Sequence, residues 1–202
     1  MLKSFYNSMG KVEAGCDEAG RGCLAGSVFA AAVIFPPTYT NPDLNDSKQL
    51  SAKQREKLRE VVKRDALAWA VAQASPEEID RINILNASIL AMHRALDALK
   101  LRPEFVIVDG NRFKSYADLP YATIVKGDGK FLSIAAASIL AKTFRDDYMR
   151  ELHDRFPFYG WDRNVGYPTR EHREGILQHG LTPFHRRSFA GLGEAKLPLE
   201  EV

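Results

Sequence analysis

A chain of 202 residues with 45% hydrophobic and 27% charged side chains can bury one sizeable core, and this is the composition of a soluble globular protein. Its formal charge of +2 excludes an overall basic field, so any nucleic-acid surface has to be local. The only cysteines, Cys16 and Cys23, exclude a multi-thiolate zinc site and a disulfide scaffold, which points to a reducing, cytoplasmic setting.

The N-terminal MLKSFYNSMGKVEAG lacks the apolar core of a signal peptide. No later run reaches the ~18 apolar residues of a membrane span, so no membrane partner is expected. Residues 11–15 alternate like a strand and lead into the acids Asp17 and Glu18. Ser27 to Phe35 is a continuous apolar run closed by two prolines, a buried strand and hairpin partner of the first. Residues 41–48 are polar and turn-rich, a loop. Ser51 is an N-cap for a charged amphipathic helix over 52–64. A third strand follows over 66–73.

Ser75-Pro76-Glu77-Glu78 starts a helix that runs to Leu99, with Ile82-Asn83 as a candidate break. The apolar strands 105–108 and 122–125 end at Asp109-Gly110-Asn111 and at Lys126-Gly127-Asp128-Gly129. A long helix, alanine-rich in its first half, spans 131–153. Residues 157–168 form a glycine- and aromatic-containing loop, 169–179 a short charged helix stopped by Gly180, and 184–189 a basic segment. This order predicts an α/β fold with a mixed central sheet flanked by helices. The main domain covers 1–153, with a small helical C-terminal extension over 154–202 packed on it as one unit. No apolar face is left over, which predicts a monomer.

Asp17, Glu18, Asp109 and Asp128 all fall at or just beyond strand ends, where the loops of open α/β sheets carry chemistry. Gathered there, such acids repel one another until a divalent cation relieves them. Hard oxygen donors suit Mg²⁺ or Mn²⁺, and two such ions can assist phosphodiester cleavage. The residues alone leave a second reading open, because a lone Asp at a strand end is often a turn former. Gly20-Arg21-Gly22 is likewise either a plain turn or a place where backbone comes close to a ligand. It lacks P-loop spacing.

The chain resembles ribonuclease HII, the type 2 ribonuclease H, through DEAGRGCLAG (17–26), DSKQLS (46–51), VDGN (108–111), KGDGKFLSIAAASILAKTFRD (126–146), GYPTREH (166–172) and HRRSF (185–189). The segments run in family order and span nearly the whole chain. The resemblance implies a ribonuclease H-like fold and metal-assisted hydrolysis of the RNA strand of RNA–DNA hybrids. It also implies incision on the 5′ side of a single ribonucleotide in duplex DNA, leaving a 3′-hydroxyl and a 5′-phosphate. The family's four carboxylates fall on Asp17, Glu18, Asp109 and Asp128, which would hold Mn²⁺ or Mg²⁺. Its ribose-reading motif falls on Gly20, Arg21 and Gly22, and the tyrosine that packs on the neighbouring deoxyribose falls on Tyr167.

Further substrate contacts are expected from Lys48, Ser138, Lys142 and Arg186; Lys126, Lys130, His172 and Arg187 are additional basic candidates, and His172, Arg186 and Arg187 could instead cap and pair within the C-terminal helices. Ser27 departs from the family, which often has proline after LAG. The sister family, ribonuclease HIII, usually lacks the GRG motif and carries an added N-terminal domain, so the resemblance favours HII. The competing readings are a different metal-dependent nuclease or strand-transfer enzyme using the same carboxylates, a non-catalytic hybrid-binding module, and a metal-dependent small-molecule phosphatase. The tail from Glu194 to Val202 shows no clear clamp-binding peptide.

Overall fold

A computed structural model describes residues 2–6, 10–44 and 50–190 of the chain. Lys48 and most of the DSKQLS segment lie outside the described residues, as does the tail. Five strands form one mixed sheet: β1 (Glu13–Ala19), β2 (Val28–Ile34), β3 (Ala68–Ala74), β4 (Phe105–Asp109) and β5 (Tyr121–Ile124). Their spatial order is β3-β2-β1-β4-β5. β1, β2 and β3 pair antiparallel as a meander, whereas β4 and β5 join β1 in parallel. The carboxyl ends of β1, β4 and β5 therefore share one edge of the sheet.

Strand alternation divides the core. Ala14 and Cys16 face α2 (Pro76–Asp97), together with Val106 and Val108 of β4. The opposite face receives α3 (Leu132–Arg155), which packs on Ala31 and Val33 and is itself covered by α1 (Ala52–Asp65). The alanines of α3 let it lie close to the sheet. Closest approach is at Gly15, where an added Cβ would come within 2.5 Å of Ser133. A third cluster holds Leu24 and Ala25 against Met149, α4 (Trp161–Asn164) and α5 (Arg170–His179). The C-terminal helices thus pack directly on the segment that follows the first strand's acids.

The helix starts follow the sequence signals. Ser51 caps α1 and Ser75 caps α2, each in a reciprocal capping box, with Gln54 and Glu78 respectively. The expected break in α2 occurs at Asn83, whose φ of 66° lies in the left-handed region. Three boundaries differ. β1 continues through both acids to Ala19, because its pairing with β2 runs on to Phe29. β3 starts at Ala68 and β5 at Tyr121, where each meets its neighbour's register. The expected loop 157–168 contains a 3₁₀ turn and the short helix α4, stabilised by buried Tyr159 and Trp161.

Candidate active site

Parallel pairing sets Cys16 beside Val108, so the next residues on both strands, Asp17 and Asp109, emerge side by side toward α3. Glu18 points to the other face. One step along an extended strand has split the paired acids across the sheet edge, and Glu18 and Asp109 line cavities on both sides of it. Asp17 is buried, with one oxygen accepting from the Glu18 amide at 2.7 Å. Burial first, then the charges of Glu18 and Asp109, push its carboxyl well above the usual range; a hydrogen bond with Ser138 opposes this. Burial also raises Glu18, against the pull of Arg21.

Asp109 accepts from the Gly127 amide at 2.6 Å, which ties the β4 and β5 ends together. Asp128 is buried in the 3₁₀ turn 127–129, where it accepts from the Gly129 amide at 3.0 Å. It does not line the cleft occupied by the other three acids. Among the described residues, no three acid, histidine or cysteine side chains are already gathered at metal-ligating spacing. The donor set fits a hard cation all the same. It consists of carboxylate oxygens, and the charges of Glu18 and Asp109 add to burial in raising Asp17, a crowding of negative charge that a divalent cation would relieve.

The main cleft has an empty volume of about 770 Å³. Its walls bring together Asp17, Glu18 and Asp109 with Gly20-Arg21-Gly22, Ser138, Lys142 and Tyr167, residues the sequence had spread over 150 positions. Gly20 is required twice over: its φ is 94°, and a Cβ there would fall 2.0 Å from the Arg145 guanidinium. Gly22 has no such constraint, and a Cβ would only touch Tyr167 at 3.9 Å, so its missing side chain keeps the cleft open. Arg21 reaches back to Glu18 at 3.1 Å, an exposed contact of the kind that is worth little on its own. Lys142 pairs with Asp146 one turn along α3, and Ser138 steadies Asp17. Burial and the nearby Cys23 thiol push the Tyr167 phenol up, so it stays protonated. Both cysteines are free, as expected.

One expectation needs correction. Arg186 is completely buried and touches no solvent. Its Nε donates to the Gly26 carbonyl and its Nη1 to the Arg21 carbonyl, both at 2.9 Å, and burial pushes it down to about 10. A side chain enclosed in this way supports the Gly20–Gly22 loop from behind and is not placed to grip a nucleic-acid backbone. His172 is equally buried, which favours the second of its two readings, capping and pairing inside the C-terminal helices. Arg187 stays exposed, its amide held by Asp80.

Sequence reasoning missed Arg145 and Arg55. Arg145 is 1% exposed and donates to three carbonyls: Ser27 (3.1 Å), Val165 (2.8 Å) and Ala25 (3.1 Å). It joins the loop after β1 to the loop bearing Tyr167. The Leu24 amide repeats that link by donating to the Gly166 carbonyl at 2.8 Å. Arg55 of α1 lines the cleft beside Lys142. Its only sequence signal is its place on a charged helix.

The family model described as ribonuclease HII matches residues 14–192. Ribonuclease HII of Bacteroides fragilis is 66% identical over 188 residues, covering 93% of this chain and 94% of that protein. Ribonuclease HII of Bacteroides thetaiotaomicron is 63% identical over 194 residues, covering 96% and 97%. Among solved structures, ribonuclease H2 from Pyrococcus horikoshii superposes with a TM-score of 0.74 at 27% identity, covering 88% of this chain and 93% of that one.

Proposed function

Because this chain belongs to the ribonuclease HII family, whose members are metal-dependent nucleases, we propose that it hydrolyses the RNA strand of RNA–DNA hybrids and incises duplex DNA 5′ to a single embedded ribonucleotide. The observation that carries this reading is the shared wall of the cleft, on which the acids and the Gly20–Gly22 loop stand next to one another. A ribose 2′-hydroxyl read by that loop lies beside the phosphate being cut. The hydroxyl both donates and accepts, so closely approaching backbone can recognise it where a deoxyribose offers nothing.

Asp17, Glu18, Asp109 and Asp128 would hold one or two Mg²⁺ or Mn²⁺ ions; Asp128 has to turn from its own loop to join them. A divalent cation there supplies concentrated positive charge to the phosphate and eases deprotonation of water. The chain's own residues do the rest. Arg21 and Lys142 exchange their carboxylate partners for phosphate oxygens. Ser138 holds Asp17 in place, and Tyr167 packs against the sugar that follows the ribonucleotide. Water attacks phosphorus in line, the bond to the 3′ oxygen breaks, and that oxygen takes a proton. The products are a 3′-hydroxyl and a 5′-phosphate.

A hybrid labelled on its RNA strand tests this. Cleavage in Mg²⁺ or Mn²⁺ that stops in excess EDTA, with 5′-phosphate ends on the fragments, is the expected result. Binding without cleavage in either metal would leave a hybrid-binding module instead.

A further inference from the structure

Beneath Tyr167, three side chains that the chemistry above does not use form a closed polar network inside an aromatic cluster. Trp161, His172 and His185 are 0, 0 and 1% exposed. Their hydrogen bonds fix both imidazole tautomers. Nδ1 of His172 lies 2.9 Å from the Tyr167 carbonyl oxygen, which only accepts, so that nitrogen carries the proton. Nε2 of His172 is then bare and accepts from the Trp161 indole at 3.0 Å. On His185, Nδ1 accepts from the Thr182 amide at 2.9 Å, so its proton sits on Nε2, which faces Nε2 of His172 at 3.2 Å. The Thr182 hydroxyl adds a second contact to His185 Nδ1 at 3.0 Å.

Such a network costs desolvation that an apolar cluster of the same size avoids. Burial pushes His172 below its ordinary value, and burial with His172 beside it pushes His185 to about 3, so both rings are neutral at physiological pH. An added proton on His172 Nε2 would face two donors. Toward the cleft the network reaches the backbone of the Gly166–Tyr167 loop, where the contact to the Tyr167 carbonyl is the stronger of two. That oxygen already accepts from the Thr169 amide at 2.8 Å within its turn, and the imidazole takes the second lone pair. With two donors the plane of the 167–168 peptide is set, and with it the Cα–Cβ direction from which the Tyr167 ring, 44% exposed, projects into the cleft.

We propose that His172 is a positioning residue for Tyr167: locked in its Nδ1–H form by Trp161 and His185, it orients the ring that tests for deoxyribose and so tunes the preference for single ribonucleotides over continuous hybrid. This rests on the reading of Tyr167 as the sugar-facing ring.

Two replacements separate positioning from packing. In His172→Asn the carboxamide nitrogen occupies the place of Nδ1 and keeps the donor to Tyr167. In His172→Gln the terminal oxygen reaches the place of Nε2, keeping the acceptor and losing that donor. The readout is the ratio of kcat/KM for a single-ribonucleotide duplex to kcat/KM for a hybrid. His172→Gln is expected to lower it about five- to tenfold, the scale of one buried hydrogen bond, and His172→Asn to stay within about twofold of wild type. Equal loss in both variants, or no loss in His172→Gln, overturns the inference.

Tyr167→Ala, measured alongside, shows which idea has failed. A fall there without a fall in His172→Gln removes the positioning role alone, and no change there removes both. Should His172→Gln not fold, long-range ¹H–¹⁵N correlation on the wild-type imidazoles decides. The Nδ1–H form at His172 and the Nε2–H form at His185 are required, and the opposite tautomer at His172 refutes the arrangement.

Discussion

Asp109→Asn should lose about 10³-fold or more in turnover on an RNA–DNA hybrid while folding as well as wild type. The loss follows from charge. Asp109 stands beside Asp17 in the parallel register and contributes to the negative cluster at the sheet edge. An uncharged carboxamide offers one weak oxygen donor where a cation needs a carboxylate. The fold survives because Asn keeps an oxygen for the Gly127 amide, the one hydrogen bond by which Asp109 ties β4 to the turn after β5. Removing the charge also relieves Asp17 and Glu18, both of which Asp109 pushes toward protonation. Thermal unfolding without metal should therefore show a melting temperature equal to or above that of wild type. Normal turnover in this variant would remove Asp109 from the site.

Arg145→Ala should have the largest effect on stability of any single change near the cleft. The guanidinium fills a fully enclosed space and satisfies three carbonyls on two different loops. Truncation leaves those oxygens buried and unpaired, at about 1–3 kcal/mol each, with a cavity in addition. The shared cavity makes these costs less than additive, so roughly 3–6 kcal/mol in total is expected. At about 2–4 °C per kcal/mol for a chain of this size, the melting temperature should fall by roughly 10–20 °C. Arg145→Lys keeps the charge and loses the planar fork, so it should lie between the two. A fall of less than about 3 °C in Arg145→Ala would show that the two loops are held together by other means.

Much of the site could be read from the sequence because it depends on chain-local facts. Asp17 and Glu18 end an alternating strand, Asp109 follows an apolar run, and the glycines beside Arg21 announce a turn. Helix caps at Ser51 and Ser75 are signals of the same kind, as is the break at Asn83. What could not be read is what only the closed fold decides. In the strings KTFRD and HRRSF, Arg145 and Arg186 look like ordinary surface charges. Nothing local reveals that the C-terminal helices fold back over Leu24 and Ala25 and seal both guanidinium groups against backbone carbonyls. The same closure removed Arg186 from the substrate surface and turned His172 inward. Asp128 illustrates the reverse case: its sequence position matched the family, while its side chain turned to its own loop.

If one cleft both reads a ribose and cuts the phosphate beside it, the two events share a fixed spacing. The most direct measurement is the position of the cut in duplex DNA carrying a single ribonucleotide, mapped at nucleotide resolution in the presence of Mg²⁺ or Mn²⁺. One incision is expected, immediately 5′ to the ribonucleotide, leaving a 3′-hydroxyl on the upstream DNA and a 5′-phosphate on the ribonucleotide. A cut 3′ to the ribonucleotide, cutting spread through the surrounding DNA, or efficient cleavage of the all-DNA duplex would contradict it.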